Sequence, residues 1–415
     1  FVFLDTVLFV IGMSFLSINV VFPYFLNTLG ASTLEISLAS ALVGIGTFIS
    51  QPYFARKVVG LTYKLKTFIK FLLIQRLFFL CFILAIPFTV RIDPHLTVIL
   101  FLFCWGIFNF FVGSYSPFFM SLFPKMVPEQ QQGRLLGFSG AAGNLISLGC
   151  AALISILLER LPFPYNFTCI FAIGIFFLFL DCLDFVFMKE PPDETLGQPM
   201  NTREYIRNIP RLLKSHPRYA AVVSSYCLIV ISNISLVYYS LYAIRHYHAE
   251  AHEIALFTGI GVTINVLGNI LYGIIADRYN HRLVMQIATV IGVLAGIVVL
   301  SIHSLHGIFL AFALSTLSSC GYFLSSGIFI VQNSSRDRIP VFISTNVMLT
   351  LVVSSVVTIM SGYVVDRFSF TPVFILTGLA SLGAFVVLTF IYGKVPLVAE
   401  KKEITPHTVP NTENL

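Results

Sequence analysis

Residues 273–282 read GIIADRYNHR. Asp277, Arg278, Asn280, His281 and Arg282 crowd into this stretch of a chain that is 57% hydrophobic and only 11% charged. The runs flanking it, 254–276 and 282–303, are continuously apolar. Each has roughly the twenty residues that span a hydrocarbon core about 30 Å thick. The stretch therefore reads as a polar turn between two membrane crossings. Composition agrees: mean hydropathy is +0.89, and the charged fraction is less than half the ~25% of soluble domains. Lipid offers no hydrogen bonds, so every backbone group needs an internal partner, which leaves helices or closed barrels. Barrel strands alternate in and out over about ten residues. The runs here are long and unbroken, so the expected class is all-α.

Twelve transmembrane helices are expected. Six lie at 3–27, 33–55, 67–90, 96–120, 135–158 and 166–188; six more lie at 219–244, 254–276, 282–303, 307–331, 341–364 and 370–393. They are called spans 1 to 12 below. Between spans 6 and 7 runs KEPPDETLGQPMNTREYIRNIPRLLKSHP (189–217), the one long polar segment inside the chain. Within it Thr202 is placed to cap a short amphipathic helix carrying Tyr205, Ile206, Ile209, Leu212 and Leu213, suited to lie on the membrane surface. The chain thus divides into a bundle over 1–188, a central loop over 189–217, a second bundle over 218–394 and a tail over 395–415 expected to be flexible. Phe1 stands where a Met would start a chain, which reads as a trimmed beginning. Cys81, Cys104, Cys150, Cys169, Cys182, Cys227 and Cys320 all fall in apolar runs without CxxC spacing, and read as small buried hydrophobes.

Lysine and arginine orient the loops. Of 25, four (Arg91, Arg160, Arg245 and Arg367) fall on one side, Arg76 falls within a span, and the other 20 share the side of the central loop and tail. By the positive-inside rule that basic side is cytoplasmic, with both ends of the chain on it. The net charge of +6 then sits beside anionic headgroups and calls for no nucleic acid. The expected setting is a plasma or cell inner membrane.

The chain also repeats itself. Span 8 closes on Ala276-Asp277-Arg278 and span 11 on Val365-Asp366-Arg367; span 5 closes on Glu159-Arg160 and span 2 on Ala55-Arg56. The second helix of each trio thus ends in an acid–Arg pair or its remnant. Spans 2 and 8 end on one side and spans 5 and 11 on the other, the mark of inverted 3+3 repeats in two pseudo-symmetric halves.

These features together resemble the major facilitator superfamily along the whole chain. The family's signature, Gly-x-Leu-Ala-Asp-Arg-x-Gly-Arg-Lys/Arg, is matched at Gly273, Ala276, Asp277, Arg278 and Arg282, with Asn280 for Gly and His281 for Arg. The first-half copy, QPYFARKVVG (51–60), has Gln51 for the Gly and Ala55 for the Asp; in PEQQQGRLLGF (128–138) Arg134 matches the turn between helices 4 and 5. The resemblance implies two bundles rocking about a central cavity. Helices 1, 4, 7 and 10 would line it, 2, 5, 8 and 11 would touch across the halves, and 3, 6, 9 and 12 would face lipid. Sliding contacts in lipid need small residues. Stripes of them lie on span 2 (Thr33, Ser37, Ser40, Gly44, Thr47, Gln51), span 5 (Gly133, Gly137, Gly140, Asn144, Ser147), span 8 (Gly261, Asn265, Asn269, Gly273) and span 11 (Asn346, Thr350, Ser354, Thr358, Gly362).

The opening stretch then reads as a latch. By the resemblance Asp277 faces the start of helix 5 in the other half, where unpaired N–H groups favour a carboxylate by roughly 0.3–2 kcal/mol. Gly273, Asp277, Arg278, Arg282 and Arg134 form this expected cytoplasmic gate, which would hold only while the halves touch there. With Ala55 in place of the twin acid, the latch is one-sided. The expected solute contacts are Ser14, Ser17, Tyr24, Trp105, Asn109, Tyr226, Asn233, Ser319 and Tyr322: mostly neutral, and suited to a hydroxylated or amphipathic organic ligand.

Charge within the membrane costs at least ~2.5–3.5 kcal/mol, so Arg76 is expected to pair with Asp181, while Asp184, on the same face of span 6, can snorkel toward the headgroups beside Lys189. The Arg76–Asp181 pair reads as a structural bridge of the first bundle, with proton coupling as the alternative; Asp5 reads as interfacial. HYHAEAHE (246–253) reads as a solvated loop rather than a zinc site, with Glu253 as a first-turn acid of span 8. No phosphate loop, GxSxG or HExxH occurs, so no enzyme, metal or cofactor is expected. The resemblance implies a monomeric secondary transporter of a small organic solute, with protons as a co-substrate if coupled. The alternatives are a facilitative uniporter, or a receptor or scaffold on the same fold.

Overall fold

The computed structural model describes residues 2–127, 129–188, 190, 202–332 and 339–391. Among them, eleven helices are long and apolar enough to cross a membrane. The remaining crossing, span 1, is split into α1 (Val2–Phe15) and α2 (Val21–Thr28). Spans 2 to 6 are α3 (Thr33–Val59), α4 (Leu65–Ile92), α5 (Pro94–Met126), α6 (Glu129–Arg160) and α7 (Tyr165–Val186). The expected surface helix is α8 (Thr202–Ser215), with Ile209 buried and Leu212 and Leu213 packed on the second bundle. Span 7 is α9 (Pro217–Asn233) and α10 (Ser235–Tyr247), and spans 8 to 11 are α11 (Ala251–Arg278), α12 (His281–Ser301), α13 (Leu305–Gln332) and α14 (Ile339–Arg367). Span 12 is α15 (Thr371–Val386), closing in a π turn, Val387–Ile391. Residues 392–415, which include the expected tail over 395–415, lie outside the described residues.

Spans 1 and 7 were expected as single helices, and both are broken near their middles. In span 1 the helix stops after Phe15, and the Phe22 N–H returns to the Ser17 carbonyl at 3.0 Å. Pro23, in the first turn of α2, brings no N–H that would need a partner. In span 7 the break falls at Asn233–Ile234. The two spans occupy matching places in the two bundles, and irregular backbone at membrane depth is tolerated where it borders a cavity.

Several turns are tied by side chains. The hydroxyl of Ser32 and the carboxylate of Glu35 close a reciprocal box at the start of α3, and Glu250 and Glu253 do the same for α11. Asn280, which replaces a glycine of the family signature, caps α12 by accepting from the Leu283 N–H at 2.7 Å. Arg282 donates to the Leu388 carbonyl at 2.8 Å and the Thr389 carbonyl at 3.2 Å, binding the end of span 12 to the start of span 9. Two of the polar residues in the opening stretch therefore have static work, while Asp277 and Arg278 stay exposed.

The core of the first bundle is aromatic. Trp105 is 1% exposed, its ring edge-on to Phe22 at 4.7 Å and stacked on Phe108 at 5.0 Å. Its indole N–H donates to the Ala39 carbonyl of α3 at 2.9 Å. Trp105 thus pins α5 to α3. Trp105→Ala should lose about 3–5 kcal/mol of stability, as large aromatic truncations do. Thermal unfolding in detergent checks this, and retention of the wild-type melting temperature would contradict the packing role.

Candidate functional site

Between the two bundles lies a cavity of about 270 Å³. It is lined by Ile18 and Asn19 at the break of span 1, by Ser40, Val43 and Gly44 of α3, and by Tyr226, Asn233 and Val237 of span 7 with their neighbours. Ser319, Tyr322 and Phe323 of α13 and Leu351, Ser354 and Thr358 of α14 complete the wall. Both helix breaks border this space, and at the first the Asn19 carbonyl accepts from the Ser240 hydroxyl of α10 at 2.7 Å.

The structure sorts the expected solute contacts into two sets. Tyr226, Asn233, Ser319 and Tyr322 line the cavity. Ser14, Ser17, Tyr24, Trp105 and Asn109 do not. The Ser14 hydroxyl meets Ser147 at 2.8 Å, joining α1 to α6 within the first bundle. Ser17 gives its carbonyl to the turn that breaks span 1. Tyr24 lies edge-on to Phe167. Asn109 donates to the Trp105 carbonyl at 2.8 Å and packs beside Gly46 of α3. Span 4 therefore contributes nothing to this lining, contrary to expectation: α5 turns Trp105 and Asn109 toward α3, and spans 2 and 11 supply the wall instead. Asn19, Ser40, Ser354 and Thr358 also line the cavity and were not among the expected contacts. Three of them stood in the small-residue stripes, so part of each stripe is cavity wall.

Call the end of the molecule bearing Asp277 the basic face and the other the far face. At the far face the halves are locked. Asp366, at the end of α14, accepts from the Thr33 N–H at 2.9 Å and the Leu34 N–H at 2.8 Å, the first free donors of α3. Arg245 of α10 donates to Thr33 Oγ1 at 2.6 Å, Asn27 Oδ1 at 2.8 Å and the Ala31 carbonyl at 2.9 Å. Deeper in, the buried Tyr238 hydroxyl bridges Ser37 of α3 at 2.6 Å and Ser361 of α14 at 2.7 Å. The backbones are so close that a Cβ on Gly362 would collide with Ser37, and one on Gly44 with Ser355. On the α6–α11 side, Gly259 approaches Ala151.

Toward the basic face the same helices part. A Cβ on Gly273 of α11 or Gly140 of α6 would meet nothing within 4 Å. Asn144 and Asn269, halfway along their stripes, donate only to their own helices, to the Gly140 and Asn265 carbonyls. Asp277 is exposed and has no partner among the described residues, so the expected Asp277 latch is not engaged in this form. Arg134 falls in α6, and its side chain lies outside the described residues. Asp366 was not among the expected gate residues, although the repeat pointed to it. It is the inverted twin of Asp277, and the start of span 2 is the inverted twin of the start of span 5.

A second polar cluster sits inside the first bundle. The Arg76 guanidinium donates to Asp181 and to the Leu178 carbonyl of α7. Asp5 was expected at the interface but is fully buried beside this pair, accepting from the Tyr115 hydroxyl at 3.3 Å. Asp5 looked interfacial by its place at the edge of span 1, whereas α1 packs between α6 and α7. The Oδ1 atoms of Asp5 and Asp181 find no donor, and the two carboxyl groups lie within hydrogen-bonding reach of each other. Asp184 is also buried, with Oδ2 unpartnered, and does not join Arg76.

The model of the Major Facilitator Superfamily matches residues 4–244 and again 221–412. No curated protein matches the chain in sequence. Among solved structures, the nucleoside transporter NupG superposes with a TM-score of 0.71 at 13% identity, over 93% of this chain and 97% of that one. A D-xylose–proton symporter gives 0.69 at 14%, over 95% and 97%. A bacterial homologue of the iron transporter ferroportin, in an inward-facing state, gives 0.66 at 15%, over 95% and 98%.

Asp366→Asn removes the charge from the α3 terminus and keeps the shape. It should shift the balance of forms toward opening at the far face by several-fold, the size of a helix-terminus carboxylate of roughly 0.3–2 kcal/mol. Cysteine accessibility at far-face positions reads this out, and an unchanged labelling rate would exclude Asp366 as a latch.

Proposed function

Since the chain belongs to the major facilitator superfamily, a family of transporters and not of enzymes, we propose that it carries a small organic solute across a membrane by alternating access. The observation that carries this reading is the asymmetry of the interface. The halves interlock through Asp366 and Tyr238 at the far face, while Gly140 and Gly273 face open space toward the basic face. A cavity between them holds the solute in transit. The excess of Lys and Arg puts the basic face in the cytoplasm, with both termini there, in a plasma or cell inner membrane. This form is then inward-open. In the outward-open form Asp277 would take over, capping α6 as Asp366 caps α3 here. The bundles over 1–188 and 218–394 are the moving bodies, and the chain works as a monomer.

Proton coupling is favoured by the buried acid cluster. Two carboxyl groups, Asp5 and Asp181, face one guanidinium, Arg76. A single proton between the carboxyls would satisfy both orphan oxygens and leave the cluster neutral, whereas an unpaired buried charge costs several kcal/mol. A purely structural Arg76–Asp181 bridge would not need Asp5.

Reconstituted in liposomes, the protein should exchange solute, and flux of no solute would favour the receptor or scaffold reading. Asp5→Asn should abolish proton-driven accumulation while sparing exchange at equal concentrations. If accumulation survives with the same pH dependence, coupling through this cluster is wrong. Asp277→Ala should raise the inward-open population, seen as slower labelling of far-face cysteines; no change would leave Asp277 a plain solvated turn residue.

A further inference from the structure

We infer that the solute is an uncharged, hydroxylated ring compound, seated with one flat face on Tyr226 and its hydroxyl edge against Asn233, Ser319 and Ser40. The inference rests on the transport reading only in calling the ligand a solute; the site itself is argued from its wall.

No Asp, Glu, Lys, Arg or His is among the residues lining the cavity. A charged solute would sit there without a counter-charge, and desolvating an ion without a partner is strongly unfavourable. The wall is nonetheless polar on one side. Asn233 Nδ2 donates to Ser319 Oγ at 3.1 Å, which leaves the Asn233 carboxamide oxygen as an acceptor and the Ser319 hydroxyl hydrogen as a donor. Facing them from the other bundle, Ser40 Oγ is shielded from solvent and has no partner. A purely apolar ligand would strand all three groups, and sites built to bond hydroxyls reject analogues lacking them. Hydroxyl groups, each both donor and acceptor, fit a wall that offers both functions from two sides.

Neighbouring turns of the two helices that carry Asn233 and Ser319 are aromatic. The Tyr226 and Tyr322 rings stack with centroids 5.4 Å apart and planes 13° from parallel. The Tyr322 hydroxyl is taken by Ser225 within the second bundle. Tyr322 is fully buried, so Tyr226 is the ring of the pair left to meet a ligand. Ring C–H faces of a polyol, or a planar base, suit such a surface. Size sets the upper bound: the cavity of about 270 Å³ falls just below the ~300–1,000 Å³ of drug-sized pockets. That suits one ring with its substituents. The polar groups come from both bundles, so one such ligand touches both moving bodies at once.

A pyranose and a nucleoside share this chemistry, and the test separates them. Purified protein is titrated by calorimetry with glucose, xylose, inositol and uridine, then with glucosamine, glucuronate and uridine monophosphate as charged counterparts. At least one uncharged ring compound should bind, and its charged counterpart should bind at least about tenfold more weakly. For that ligand Tyr226→Phe should bind within about twofold of wild type, whereas Tyr226→Ala and Asn233→Ala should lose about tenfold or more. Binding of a charged counterpart as tightly as its neutral parent overturns the inference. So does equal damage from Tyr226→Phe and Tyr226→Ala, or binding by none of the four uncharged compounds. In each of these cases liposome flux of some other solute would leave the transport reading standing, while flux of none would remove that reading separately.

Discussion

The closed end of this molecule depends on a carboxylate resting on the start of a helix. Asp366 of α14 takes the first two free N–H groups of α3, where the aligned peptide dipoles leave partial positive charge and no intrahelical acceptor exists. The bond joins two bundles and exists only while they touch. Its neighbours follow from the approach it permits. Tyr238 reaches both Ser37 and Ser361 only because α3, α10 and α14 converge there, and Gly362 and Gly44 let backbone pass where a methyl group would not fit. A partly exposed carboxylate is well matched to a reversible contact. Water can replace its partners at little cost when the end opens, whereas a deeply buried ion pair would be hard to break.

Inverted repeats explain why the same device occurs twice. Span 11 relates to span 8, and span 2 to span 5, by a turn that exchanges the two faces. Asp366 on α3 is therefore the counterpart of Asp277 on α6, and two such contacts cannot both be made by bundles that rock as rigid bodies. Ala55 removes the twin acid at the basic face, while at the far face the twin Glu159 accepts from Ser155 of its own helix and leaves the contact to Asp366. The cavity lies at the pivot between them, beside the breaks in spans 1 and 7. At the first break the Asn19 carbonyl accepts from the Ser240 hydroxyl of the other bundle, and irregular backbone at membrane depth is tolerated beside a cavity. The buried cluster of Asp5, Arg76 and Asp181 lies apart from this pivot, within the first bundle.

Several features were plain from residues alone. Run length and hydropathy count the crossings, because a bilayer of set thickness demands helices of set length. The lysine and arginine excess marks one face, and the acid–Arg echoes at the ends of spans 2, 5, 8 and 11 carry the repeat. The surface helix at 202–215 and the Arg76–Asp181 pair follow from amphipathic spacing and from the cost of lone charge in lipid. Four of the nine expected solute contacts, Tyr226, Asn233, Ser319 and Tyr322, reach the cavity. All four belong to the second bundle, where span 7 breaks at the very Asn that stood out.

What only the tertiary structure decided is which face of each helix meets which neighbour, and in which form. Trp105 and Asn109 look like ligand groups because they are polar and mid-membrane; they turn inward because Ala39 and Gly46 of α3 leave room for them. Asp5 looks interfacial by its place in the chain and is buried because α1 packs between α6 and α7. Amino-acid order determined that helices cross and where small residues lie, since those depend on local length and composition. It did not determine whether a stripe of small residues grips, slides or lines a cavity, since that depends on the helix standing opposite.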